Sequence, residues 1–137
     1  MAKAFLIIPA VAALLAVSGS GPAAAQRPVL AMLSQIDSGR WELRPREAGG
    51  VVERICLRDA RRLIQLRHPQ HVCERYIVND DPNDVTVQYT CRGKGYGRTH
   101  IRRESTRLLQ IDSQGIAEGL PFNFAAEARW VGSDCPA

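Results

Sequence analysis

The chain lacks most of the patterns that would announce a chemistry. It has no Cys-x-x-Cys pair, so its cysteines do not have the spacing of a structural zinc site. It has no Gly-x-Ser-x-Gly, the strained turn that presents a hydrolase serine. Gly93-Lys94-Gly95-Tyr96-Gly97 is not followed by the Ser/Thr and helix of a phosphate loop, and its glycines are expected to supply a hairpin turn. No apolar run reaches the roughly 20 residues that cross a bilayer. No internal repeat or low-complexity tract lies beyond the first 25 residues.

Those 25 residues read as a signal peptide. Met1-Ala2-Lys3 is a short positive start, Ala4 to Val17 is an apolar stretch, and Ser18 to Pro22 breaks any helix. Ala23-Ala24-Ala25 offers small residues for cleavage after Ala25, leaving residues 26–137 as one exported, periplasmic domain with no stable membrane span. No cysteine follows the apolar stretch closely, so a lipid anchor is not expected. A product of this size buries about two-thirds of its unfolded surface, a margin that cross-links would widen.

All four cysteines, Cys56, Cys73, Cys91 and Cys135, lie in the mature part, and an even number in an exported chain reads as two disulfides. Three pairings are possible. Cys56 and Cys73 bracket a short helix, and a bridge between them, worth about 3 kcal/mol in the chain-entropy model, is the preferred expectation, leaving Cys91 for Cys135. Without Lys3 the chain carries 17 cationic side chains against 14 acids, a net charge of +3, and only Lys94 among the cations is not Arg. An excess so mild, with signs interspersed, does not call for nucleic acid.

Asp84 to Cys91 alternates polar and apolar residues without a break, the pattern of a half-buried strand with Val85, Val87, Tyr89 and Cys91 on its core side. Further strands are predicted over Gly39–Arg44, Val51–Leu57, His71–Asn79, Arg98–Glu104 and Thr106–Asp112. A last one runs through Phe122, Phe124, Ala126, Ala128 and Trp130, after a break at Ser113-Gln114-Gly115. Arg58 to Arg67 switches to a period of 3.6 and predicts a helix, started by Asp59 and stopped by Pro69. One or two helical turns are expected over Val29–Ile36. The fold class is therefore mainly β: an antiparallel meander sheet, curved or partly closed, with one short helix and two disulfides.

Gly39-x-Trp41-Glu42, Cys56-Leu57 before a short helix, Cys73, Thr90-Cys91 before a Gly-rich turn and the final Cys135 occur in the order found in the domain-of-unknown-function 3617 family, small exported proteins of Gram-negative bacteria. The chain resembles that family over nearly all of its mature length, although it is richer in Arg and poorer in Gly and Thr near its C-terminus. The resemblance implies a periplasmic β-rich domain with two disulfides and no established activity.

Ser105 or Ser113 with His100 and an acid are the ingredients of a hydrolase triad, but nothing in the spacing assembles them. His68-Pro69-Gln70-His71 puts two imidazoles in what reads as a partly exposed turn, without a third metal ligand. Asp80 to Asp84 lacks the glycine and terminal glutamate of a calcium loop. No catalytic residue, metal or cofactor is expected. Two features remain as candidate contacts. One is a basic set, Arg58, Arg61, Arg62 and Arg67 with Arg98, Arg102 and Arg103, suited to a polyanion. The other is an apolar face of Trp41, Tyr89, Phe122, Phe124 and Trp130, most simply core but able to line a pocket for a lipid-like ligand. The function expected is a non-catalytic periplasmic binding or envelope-associated module. The alternatives are a small periplasmic hydrolytic or ligand-modifying enzyme, or a structural partner of another envelope protein.

Overall fold

The computed structural model describes residues 29–136; the expected signal peptide and the start of the mature chain lie outside them. Seven strands form one antiparallel sheet: β1 (Gly39–Pro45), β2 (Glu53–Leu57), β3 (Glu74–Asp80), β4 (Asp84–Cys91), β5 (Gly95–Ser105), β6 (Leu108–Ala117) and β7 (Leu120–Gly132). Their order is β2-β1-β7-β6-β5-β4-β3. β3 to β7 are a meander of consecutive hairpins, and the β1–β2 hairpin is added beside β7. The sheet does not close, because β2 and β3 each pair on one side only.

Alternation divides the sheet into two faces. The inner face carries Trp41, Leu43, Ile55, Leu57, Val85, Val87, Tyr89, Ile101, Leu109, Ile111 and Ala128, all buried. The outer face carries Glu42, Gln88, Arg98, Arg102, Asp112 and Gln114. Between β2 and β3 the chain must travel from one edge of the sheet to the other, and it does so across the inner face. This crossover contains a 3₁₀ helix, Ala60–Gln65, which buries Ala60, Leu63 and Ile64 against the sheet; α1 (Ala31–Ser34) adds Met32 and Leu33 to the same core.

Several expectations are corrected here. The helix is shorter and tighter than the predicted Arg58–Arg67, although Asp59 does cap it, its carboxylate accepting from the Arg61 N–H at 2.9 Å. Pro69 ends the segment, whose last turn is closed by the His68 N–H donating to the Gln65 carbonyl at 2.9 Å and is braced by the Gln65 side chain. Gln65 donates to the carbonyls of His68 and His71, while its own amide oxygen accepts from Arg75. Gly95 and Gly97 belong to β5, and Ser113, Gln114 and Gly115 continue β6 without a break. Gly97 is required by packing: a Cβ there would lie 2.5 Å from the Tyr89 ring. Ser113 stays in the strand because its hydroxyl meets that of Thr99 at 2.7 Å, and Thr99 also donates to the Ile64 carbonyl at 2.6 Å. This buried polar chain ties the crossover to the sheet.

The disulfides pair otherwise than preferred: Cys56 with Cys135 and Cys73 with Cys91. The crossover explains the correction. Cys56 lies in β2 at one edge and Cys73 next to β3 at the other, so the helix they bracket separates them by the width of the sheet. Cys91 lies in β4, beside β3, and the C-terminal tail after β7 returns past β1 to reach Cys56.

Candidate functional site

The inner face is incompletely covered. Below the end of the 3₁₀ helix a recess of about 260 Å³ opens between Leu66 and Arg67 of the crossover, Leu43 and Pro45 of β1, Val51 ahead of β2, and Phe124 and Ala126 of β7. Its accessible lining is more polar than apolar: Glu47, Glu53 and Arg67 supply charge around the apolar side chains of Leu66 and Phe124. Val51 is 84 % exposed at the mouth. The Arg67 guanidinium stands 4.7 Å from the Phe124 ring centroid, a cation–π contact that holds the aromatic ring in place.

From Phe124 an aromatic series leads into the core. Phe122 lies 6.4 Å from Phe124, His68 lies 6.2 Å from Phe122, and Tyr89 lies 5.4 Å from His68 between ring centroids. His68 is only 1 % exposed, which corrects the expectation of two partly exposed loop histidines; only His71 is exposed. The Lys94 carbonyl can only accept, so His68 Nε2 donates to it at 3.0 Å. In the neutral imidazole Nδ1 then accepts from the Tyr89 hydroxyl at 3.1 Å. Burial pushes the Tyr89 phenol up to about 12, with the Arg67 charge opposing. Sequence periodicity placed Tyr89 on the core side but gave no sign of its histidine partner. The missing side chain at Gly97, directly opposite Tyr89, was the available signal.

The predicted contact residues are dispersed. Trp41 is fully buried among core residues, its indole N–H donating to the Asp37 carbonyl at 3.0 Å, so it offers no surface to a ligand. Trp130 donates to the Ser38 carbonyl and lies under Arg107, 4.2 Å from the guanidinium carbon. Arg61 bonds to the Val29 carbonyl and Ser34 hydroxyl, and Arg62 to the Cys56 carbonyl at 3.0 Å, so both brace the crossover. Arg102 pairs with Glu104 at 3.0 Å, while Arg103 is held by Asn83 and Gln35. Arg58 and Arg98 are exposed, the first next to the helix start and the second on the outer face. The basic set is therefore not one patch.

On the outer face His100 Nε2 meets Asp84 at 2.5 Å, but Ser113 lies on the inner face, on the opposite side of the sheet, and the Ser105 hydroxyl accepts from the Arg107 N–H at 3.1 Å. Among the described residues no group of three His, Cys, Asp or Glu side chains could hold a metal ion. The acidic turn Asp80 to Asp84 is closed by its own backbone, and Asp80 accepts from the Leu30 N–H at 2.9 Å. Glu42 and Glu127 are held below the usual carboxylate range, chiefly by hydrogen bonds from Arg44 and Arg54 to the first and from Arg129 to the second. No helix among the described residues is long and apolar enough to cross a membrane.

No family model matches the chain, and no curated protein or solved structure is found to be similar to it.

Proposed function

We propose that the protein is a non-catalytic binding module of the periplasm or envelope, and that its inner-face recess takes the apolar chain of a lipid-like ligand. The observation that carries this reading is the recess itself, where half-buried Leu66 and Phe124 present an apolar patch, backed by buried Leu43 and Ala126, within an otherwise polar lining. Its volume, about 260 Å³, is somewhat below the lower limit for ligand pockets, roughly 300 Å³, and suits one chain in preference to a bulky ring system. Arg67 beside Phe124 is placed to meet an acidic head group. The two disulfides accord with an oxidising, exported compartment, and membership of the domain-of-unknown-function 3617 family belongs to the same proposal.

Laurate tests it, with binding followed by calorimetry and native mass spectrometry. Saturable one-to-one binding that weakens at least about tenfold in Phe124→Ala, from loss of aromatic contact area, is the expected result, with Leu120→Ala unchanged. Binding that is indifferent to Phe124→Ala, or no adduct at all, would overturn the reading. A second reading, a structural partner of another envelope protein, is favoured by one observation: β3 is an open edge beside exposed Tyr76 and Val78. Crosslinks through β3 in cells would support it.

A further inference from the structure

The outer face is divided electrostatically. Over one half its charged side chains are engaged: Asp84 is hydrogen-bonded to His100 at 2.5 Å, and Arg46 pairs with Asp112 at 2.7 Å, Arg129 with Glu127 at 2.7 Å, and Arg102 with Glu104. The other half has no such pairs. There the register aligns Gln88, Arg98, Gln114 and Asn123 as one cross-strand row over β4, β5, β6 and β7. Among the described residues none of these four side chains has a hydrogen-bond or ion-pair partner.

The row coincides with a recess of about 400 Å³, to which Tyr96 is added from the neighbouring row and Phe122 from β7 next to Asn123. Gly97 and Gly115 pair across β5 and β6 beneath it. Tyr96 is 52 % exposed, and Tyr76, paired with Gln88 on β3, is 71 % exposed at the end of the row. The lining holds one guanidinium and no carboxylate.

We propose that this recess is a binding site for an acidic saccharide. Each requirement follows from the chemistry of the row. Glutamine and asparagine amides present a donor and an acceptor side by side, which matches sugar hydroxyls that both donate and accept. A guanidinium fork takes a carboxylate through two parallel hydrogen bonds. Exposed tyrosine rings offer flat apolar faces for the C–H side of a pyranose. The row is about 14 Å long at ordinary strand spacing, enough for a short linear oligosaccharide. A single cation among amides fits isolated carboxylates along a sugar chain better than a dense polyphosphate, which would call for several. The site is on the opposite face from the apolar recess and does not depend on it.

Trigalacturonate is the probe, titrated into the mature, oxidised protein and followed by amide chemical shifts. Saturable shifts confined to Gln88, Tyr96, Arg98, Gln114 and Asn123 are expected, with maltotriose at least tenfold weaker. Because Arg98 is exposed and bonds to no other described residue, Arg98→Ala should fold normally and lose tenfold or more in affinity. Arg98→Lys should keep part of that affinity, and Arg102→Ala should keep all of it. Gln114→Leu should weaken both sugars and leave the salt dependence unchanged. The proposal is overturned if citrate binds as tightly as the saccharide, if shifts spread equally to Arg58 and Arg62, if Arg98→Ala binds like the parent, or if no saturable shift occurs.

Discussion

At the residue scale a tightly constrained group is Tyr89, because its ring rests on Gly97 and its hydroxyl is, among the described residues, the only donor to His68 Nδ1. The folded protein holds the phenol protonated up to about 12, above its ordinary value of 10.0. The folded state therefore binds this proton more tightly than the unfolded chain does, and the stabilisation is complete below pH 10. It is lost as pH rises through the folded value. Roughly 3 kcal/mol should disappear between about pH 10 and 12. Tyr89→Phe should remove that part of the alkaline slope in urea unfolding and lower stability at neutral pH by about 1–3 kcal/mol, since a buried acceptor loses its donor. An unchanged alkaline slope would show that another group causes it. Sequence alternation revealed which way Tyr89 points. It concealed Gly97, since a glycine among glycines reads as a turn when its role is to leave room for a ring.

At the scale of elements, legibility follows the hydrophobic period. β4 was readable to the residue because four apolar side chains alternate over its length, and Asp59 marked the helix start. β6 was cut short because buried Ser113 looks like a turn residue; its partner Thr99 lies 14 residues earlier, beyond any local pattern. The crossover helix was overextended because Leu66 and Arg67 continue a helical period while their neighbours are bonded through Gln65. The two bridges act on different elements. Cys73–Cys91 joins adjacent strands and closes a separation of 18 residues; Cys56–Cys135 pins the β1–β2 hairpin to the tail across 79. The chain-entropy model assigns about 3 kcal/mol to the first and about 4.5 kcal/mol to the second. Replacing Cys56 and Cys135 by Ser should therefore lower the urea midpoint more than replacing Cys73 and Cys91. The reverse order would show that local packing at β3 and β4 outweighs the entropy of the long loop.

For the whole molecule, fold class was legible and topology was not. Antiparallel strands and short turns are local properties, whereas the β1–β7 pairing depends on residues some ninety positions apart, as in Arg40 with Gly132. The candidate sites were legible only in part for the same reason. Phe124 and Arg98 could be singled out from the sequence, but the recess at Leu66 and the row through Gln88, Gln114 and Asn123 exist only once the register is set. The pairing also has a consequence for biogenesis. In a chain that reaches an oxidising compartment N-terminus first, Cys56 arrives before any other cysteine and its native partner Cys135 arrives last, close to when β7 completes the sheet. Oxidation in order of arrival joins Cys56 to Cys73 and leaves Cys91 for Cys135, two bonds the finished fold cannot contain. On that route maturation would require a disulfide isomerase that reopens the early bond by thiol exchange. Cells lacking that isomerase should accumulate a Cys56–Cys73 species, readable in a non-reducing peptide map, and equal yields of native protein with and without it would show that Cys56 waits unpaired for its distant partner.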